Sequence, residues 1–343
     1  MIRRAIVAGL GSIGRRHLRL LRAALPGADI RVLRHSGCDE AIEHANGCFS
    51  QLEEACNFAP DLAVIASPAP FHIATAAALA ETGAHLLVEK PVSDTRAGLA
   101  ELIALCAARG QVFQVGYNLR FLETLQCFRA EMAAGRIGTV QVVRCETGQY
   151  LPSWRPGADY RTTVSAQKAL GGGVLLELSH ELDMLRWVFG EVDWLSAWIG
   201  RQSELEIDVE DSAMLEIRFA SGPVAQLGID FLRHDTTRTC TALGSEGSLR
   251  WDGVAGRVEH FDPEAGRWRE LTQITPERDA SYRAQIAALL EAIAEGPEQT
   301  AQGTAQHQIA AKGADGQAVM LLVEAARRSD AKRGLRIKIG EAA

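Results

Sequence analysis

Glu89-Lys90-Pro91 closes a short apolar run, and a lysine placed there has two chemical uses. It can donate a hydrogen bond to an oxygen of a small molecule, or relay a proton once burial and nearby charge lower its pKa. A second group follows the triplet Gly171-Gly172-Gly173, where Glu177, His180 and Asp183 fall at i, i+3 and i+6 of a helical pattern. That spacing gathers an acid, an imidazole and a second acid near one helical face. Imidazole beside carboxylate is a usable proton acceptor or donor near neutral pH. The plainer readings of the same residues are an exposed loop lysine and a capped, partly buried histidine.

A third stretch, Gly9-Leu10-Gly11-Ser12-Ile13-Gly14, speaks of binding. The apolar run Ile6-Val7-Ala8 precedes it and a helical pattern from Arg15 to Leu21 follows, giving the strand, turn and helix that a pyrophosphate cradle needs. The first glycine permits the sharp turn, the second lets backbone approach the phosphates, and the third lets helix and strand pack closely. Amides at the helix start then face the anion, which the helix dipole favours. An acid about 20 residues beyond the third glycine normally holds the adenosine ribose. Here the count reaches Arg34, followed by His35 and Ser36, while Asp39 and Glu40 lie too far along to replace that acid. Arginine cannot accept ribose hydroxyl protons, but it pairs with a 2′-phosphate and stacks on adenine. The expected coenzyme is NADP or NAD, with NADP preferred.

The elements that must position these groups alternate through the first part of the chain. Strands are expected at Ala5–Gly9, Ile30–Arg34, Leu62–Ala66, His85–Glu89 and Val112–Tyr117, and helices at Ser12–Leu25, Phe71–Thr82 and Thr95–Arg109. Repeated βα units force a parallel sheet with right-handed crossovers. Beyond about residue 122 the pattern changes to longer runs with period-two alternation: Thr139–Tyr150, Trp194–Arg201, Ser212–Phe219, Val224–Phe231, Thr237–Leu243 and Ser248–Trp251. These read as a mostly antiparallel sheet. Helices at Tyr282–Glu295 and Gln306–Ser329 follow, and the Ala, Gln and Gly-rich stretch 299–316 dictates no single conformation. The expected fold is α/β: a doubly wound parallel sheet over 1–121, then an α+β domain over 122–343 for substrate binding and oligomerisation.

The bulk properties set limits. With 343 residues the chain is long enough for two domains, and 47% hydrophobic with 23% charged residues is ordinary for a globular protein. A formal net charge of −7 speaks against a nucleic-acid surface. No apolar run approaches the ~20 residues that span a bilayer. Met1-Ile2-Arg3-Arg4 leads straight into the first strand without a signal peptide. The seven cysteines are scattered, odd in number and without a CxxC pair. Reduced thiols, no metal site and a cytoplasmic location are therefore expected.

Taken in order, Gly9–Gly14, Ser67-Pro68 with His72, Glu89-Lys90-Pro91, Gly116-Tyr117-Asn118-Leu119-Arg120-Phe121 and Gly171–Asp183 resemble the motifs of the Gfo/Idh/MocA oxidoreductases. Gly244-Ser245-Glu246-Gly247 is similar to a turn of that family's second domain, so the resemblance covers nearly the whole chain. It implies that Lys90 polarises the reacting oxygen and that His180, next to Asp183, accepts or donates the proton. It places Asn118 near the nicotinamide or substrate and lines the cofactor with Ser67, Pro68 and His72. In the family the acid more often lies one position further from the histidine and is an aspartate, so Glu177 departs from the pattern.

Tyr150-Leu151-Pro152-Ser153-Trp154-Arg155-Pro156-Gly157-Ala158-Asp159-Tyr160-Arg161 is similar to a narrower branch linked to bacterial surface sugars. Its arginines suit carboxylate or phosphate and its aromatic faces suit sugar rings or bases. Trp154, Arg155, Asp159, Tyr160 and Arg161, with Lys90, Asn118, Arg120, Glu177 and His180, are the expected substrate contacts. The resulting expectation is hydride transfer between NAD(P) and a secondary alcohol or ketone of a sugar-like molecule, nucleotide-linked sugars included, by a homodimer or homotetramer. A glycosidase or epimerase that keeps its nicotinamide, and a non-enzymatic NAD(P) sensor, are the alternatives.

Overall fold

The computed structural model describes residues 2–34, 37, 38, 40–275, 277–296 and 309–340. It divides into two compact units, the first comprising Met1–Phe121 with Asp279–Met320 and the second Leu122–Arg278 with Leu321–Ala343.

Six strands form the sheet of the first unit: β1 (Arg4–Ala8), β2 (Asp29–Leu33), β3 (Gly47–Phe49), β4 (Leu62–Ile65), β5 (His85–Val88) and β6 (Phe113–Val115). They pair in parallel in the order β3-β2-β1-β4-β5-β6. Strand order therefore reverses between β1 and β4, and the crevice outside their carboxyl ends is where such sheets bind ligands. Short, wholly apolar strands such as Leu62-Ala63-Val64-Ile65 are buried because helices cover both faces of a parallel sheet. Those helices are α1 (Ser12–Ala24), α2 (Leu52–Asn57), α3 (His72–Glu81) and α4 (Leu99–Ala108).

The sequence reading assigns residues after 121 to the second domain, but the structure packs Asp279–Met320 into the first unit. The cause is apolar burial. Ile286 and Leu289 of the helix Ala280–Glu295 complete a core with Val7, Leu18, Leu21, Ile30 and Val64. The backbone of Val115 also donates to Ala311 O at 2.8 Å on the β6 edge. A second correction concerns the thiols: Cys38 and Cys48 form a disulfide, with Cα atoms 5.6 Å apart. Pairing of β3 with β2 brings Cys48 beside the segment that follows β2, a closeness no spacing rule registers. The expectation of uniformly reduced thiols, and the cytoplasmic location drawn from it, lose that support.

The second unit holds nine strands: β7 (Val140–Gly148), β8 (Val192–Gly200), β9 (Ser212–Phe219), β10 (Val224–Asp230), β11 (Thr237–Gly244), β12 (Gly247–Asp252), β13 (Arg257–Asp262), β14 (Arg267–Gln273) and β15 (Ile337–Lys338). Their order is β14-β13-β12-β11-β7-β10-β9-β8-β15, antiparallel except for the β7/β10 pair. Alternation sorts the side chains by face. In β9, Ala213, Leu215 and Ile217 are buried while Met214 and Glu216 are exposed. Trp198 and Met214, directly opposite on β8 and β9, share an open face with Arg144 and Gln226. Three further helices, α5 (Glu123–Ala133), α6 (Val174–Glu177) and α7 (Ser179–Phe189), belong to this unit. The chain's later helices among the described residues are α8 (Ala280–Glu295) and α9 (Gly313–Ala331). Among those residues no helix is long and apolar enough to cross a membrane. Nor does any group of three His, Cys, Asp or Glu there have the makings of a metal site.

Candidate active site

Gly9, Gly11 and Gly14 are glycines for three different reasons. Gly9 has φ +97, and a Cβ on it would lie 2.5 Å from the Ser67 backbone nitrogen. A Cβ on Gly14 would lie 2.1 Å from the Gly9 carbonyl oxygen, so helix and turn touch there. Gly11 has an ordinary φ of −69, and a Cβ on it would meet nothing within 4 Å. Contacts within the chain leave that glycine unexplained. The open space beside it leaves room for a group that must approach backbone, as a pyrophosphate does. The N-terminus of α1, with Ser12 and Ile13 in its first turn, has neither a side-chain cap nor an acidic residue there. Its amides suit an anion. The Ser67 hydroxyl, buried and without a hydrogen-bond partner, lies just past β4 on the same rim. These residues fit a dinucleotide.

Arg34 directly follows β2, with its backbone nitrogen 3.0 Å from Phe49 O, and Gly9 N donates to Leu33 O at 2.9 Å. The arginine thus stands next to the strand end that holds the glycine turn. His35 and Ser36, the other expected contacts at this edge, lie outside the described residues.

Glu89 and Lys90 leave β5, the strand beside β4. Glu89 is buried, with Oε1 2.6 Å from His17 Nε2 and Oε2 accepting from the Lys90 backbone nitrogen at 3.1 Å. Burial raises the Glu89 pKa, but the His17 contact and the positive charge of Lys90 outweigh it and leave the carboxyl below its usual range. Pro68 starts the turn at Ala69–Phe71 that leads into α3. Buried His72 places Nε2 2.6 Å from Ser67 O and Nδ1 3.0 Å from Pro91 O, joining the β4 and β5 turns. Its contact is with these two turns, so it supports the rim from behind.

Two further expected ligand contacts are buried and hold partners within the fold. Asn118 is buried and its Nδ2 donates to Ser281 Oγ at 2.8 Å. Arg120 is 3% exposed and pairs with Asp315 at 3.3 Å. The pair fixes the guanidinium within the first unit.

In the second unit, the continuous helix expected over Glu177, His180 and Asp183 is broken. α6 ends at Glu177, Leu178 has φ −100 and ψ 27, and α7 begins at Ser179. Glu177 therefore sits on a different helical turn from His180, and only His180 and Asp183 share α7. His180 is half-buried and Asp183 is 1% exposed. Glu181 between them is fully buried and accepts from Arg238 Nε at 2.8 Å, which ties α7 to β11. Glu210 carries no sequence signal, yet its carboxylate occupies the space beside Gly173, and its backbone oxygen accepts from Val174 N at 3.1 Å. Burial holds its carboxyl above the usual range.

The loop after β7 is built of short turns. Trp154 donates to Gln149 O at 2.9 Å and meets Phe231 edge-on with ring centroids 5.1 Å apart. Arg155 is exposed. Arg161, expected at an anion site, holds Asp159 and Glu206 at 2.9 Å and 2.8 Å. The pairing with Arg161 lowers the Asp159 pKa. Tyr160 accepts from the Glu206 backbone nitrogen at 3.2 Å, so this whole corner is self-satisfied.

Residues 3–117 match the oxidoreductase family with an NAD-binding Rossmann fold, and residues 125–250 match the Gfo/Idh/MocA C-terminal domain. The chain belongs to the Gfo/Idh/MocA oxidoreductases. Among curated members, levoglucosan dehydrogenase of Pseudarthrobacter phenanthrenivorans is 28% identical over 218 residues, covering 55% of each chain. Inositol 2-dehydrogenase 1 of Saccharopolyspora erythraea is 26% identical over 317 residues, 84% of this chain and 86% of the relative. The chain spans about half the length of several curated relatives it matches, 55% of the first of them. Its fold is that of levoglucosan dehydrogenase solved with NADH, with a TM-score of 0.83 and 21% identity over 99% of this chain and 100% of that one. The WlbA dehydrogenase from Bordetella pertussis, in complex with NADH and UDP-GlcNAcA, aligns with a TM-score of 0.77 and 21% identity over 99% of each chain.

Proposed function

We propose that the chain is an NAD(P)-dependent oxidoreductase that interconverts a secondary alcohol and a ketone on a sugar-like molecule. One observation carries this reading: the glycine turn Gly9–Gly14 and the Lys90 turn stand at the carboxyl ends of strands of one parallel sheet. Bound there, the nicotinamide would supply or take the hydride. The Gly11–Gly14 amides hold the pyrophosphate, while Ser67 and Pro68 line the coenzyme and Asn118 borders its reactive end. Lys90 donates a hydrogen bond to the reacting oxygen and orients it. His180 accepts the hydroxyl proton on oxidation and returns it on reduction, and Asp183, one helical turn along, stabilises the charged imidazole. Trp154, Arg155 and Tyr160 are proposed to border the sugar, with Glu177 at its edge.

Levoglucosan and inositol dehydrogenases among the relatives support a polyhydroxylated ring as substrate, and the WlbA complex supports testing nucleotide-linked sugars. Arg34 supports NADP as the preferred coenzyme. The open sheet face around Trp198 and Met214, a shallow concavity of about 930 Å³, supports assembly into a homodimer or homotetramer.

The test is turnover, followed by nicotinamide absorbance, on a panel of cyclic polyols and nucleotide-linked sugars with each coenzyme. Lys90→Met and His180→Ala should each cut kcat by about a hundredfold or more while coenzyme affinity stays within about threefold. Undiminished turnover in both variants would remove the assignment. Light scattering of the purified chain, before and after Trp198→Glu, tests the assembly.

A further inference from the structure

His17 lies on α1, one helical turn beyond Gly14, and is wholly buried. Its Nε2 meets Glu89 Oε1 at 2.6 Å, while its Nδ1 has no hydrogen-bond partner. The ring otherwise packs against Tyr282 of α8, with centroids 5.9 Å apart. A leucine would satisfy such surroundings equally well, so the bond to Glu89 is the one feature that calls for histidine. Glu89 in turn is 5% exposed, and its second oxygen accepts from the Lys90 backbone nitrogen. Gly116 leaves room for this carboxylate, because a Cβ there would lie 2.8 Å from Glu89 Oε2. The carboxylate is thus fixed from three elements, α1, β5 and the residue after β6.

We infer that His17 is a positioning residue: through Glu89 it fixes the backbone of Lys90 relative to the helix whose first turn forms the coenzyme cradle. The inference rests on the reading of Lys90 given above only for its consequence in catalysis; the positioning itself is a structural claim. A buried carboxylate that loses its partner pays a desolvation cost and rearranges. The peptide it holds then shifts with it.

The experiment reads the Lys90 amine directly. The full chain is labelled with limiting acetic anhydride, and the rates at Lys90 and at exposed Lys312, an internal reference in the same unit, are followed by peptide mass spectrometry. His17→Leu should raise the Lys90 rate several-fold with Lys312 unchanged, since one charge-assisted hydrogen bond governs its restraint. His17→Gln, whose amide can donate to the same carboxylate, should restore the wild-type rate. Should His17→Leu fail to fold, Glu89→Gln should move Lys90 in the same direction. An unchanged Lys90 rate in every variant that folds would overturn the inference, as would a parallel rise at Lys312. Because Lys90→Met turnover is scored separately, loss of the proposed reaction would leave the positioning result standing, and the reverse also holds.

Discussion

The carboxylate of Glu210 fills the space where Gly173 would carry a side chain, with Oε1 2.5 Å from the position of its Cβ. Gly173 also has φ +104, a conformation that L side chains rarely adopt. Gly173→Ala is therefore expected to destabilise the second unit by about 1–3 kcal/mol, through strain and displacement of Glu210. Because Gly173 opens the turn into α6, and so leads to the proposed proton carrier His180, turnover should fall with it. Glu210→Gln has the opposite sign. Burial raises this carboxyl's folded pKa, so its contribution is complete below the unfolded pKa and lost as pH rises through the folded one. At neutral pH the amide variant should unfold at higher denaturant than the wild type, with the gap closing in acid. Equal midpoints at both pH values would refute the account.

The three glycines of the first turn should separate in experiment. Gly14→Ala drives a methyl into the Gly9 carbonyl, 2.1 Å away, and should lower the melting temperature and coenzyme affinity together. Gly11→Ala meets open space with an ordinary φ, so stability should hold. Its coenzyme affinity should nonetheless fall by about tenfold or more, as the methyl stands where a phosphate needs backbone contact. Calorimetric titration paired with thermal melts checks both. A Gly11→Ala protein that binds like the wild type would show that the open space has another purpose.

The contrast explains which parts of this chain were readable as sequence. Strand, glycine turn and helix are local, so the residues from Arg4 to Ala24 are legible from their own order. The break at Leu178 is not, and the start of α6 is fixed from afar: Gly173 N donates to Ser165 O at 3.1 Å and Val174 N to Glu210 O at 3.1 Å. Leu175-Leu176-Glu177-Leu178-Ser179-His180 by itself reads as unbroken helix. β3 escapes notice as three half-buried residues with no alternation. Strands β13 and β14 escape because Arg257, Glu259, Arg267, Arg269 and Glu270 mask their period. Arg161 pairs with Glu206, 45 residues away, which no motif would have named.

If Arg34 faces the adenosine ribose as proposed, the coenzyme preference becomes a matter of charge. An arginine facing a 2′-phosphate contributes about 1.5–3 kcal/mol as a charge-assisted hydrogen bond, or roughly ten- to a hundredfold in affinity. Arg34→Asp should therefore weaken NADP binding by that factor. It should leave NAD within about threefold, or improve it, since a carboxylate accepts the ribose hydroxyl protons. The ratio of the two dissociation constants, measured at one salt concentration, is the readout. An unaltered ratio would place the discrimination on another residue.

His72 gives the first unit an acid-sensitive joint. Its ring is 1% exposed and spans the Ser67 and Pro91 carbonyls. Burial lowers its pKa despite the carbonyl oxygens that favour the charged form. Below about pH 6.5 the unfolded chain takes up a proton that the folded chain resists. Stability from this residue is thus complete above the unfolded pKa and is lost as pH falls toward the folded value. His85 is shifted in the same direction by burial and adds to the slope. Glu89, also lowered, contributes only in the more acidic carboxylate range, so the windows are separable. The melting temperature of the wild type should fall on going from neutral pH to about pH 5. His72→Gln should melt lower at neutral pH yet lose less over that interval, and adding His85→Gln should flatten the curve further. Parallel curves for wild type and His72→Gln would exclude His72 as the source.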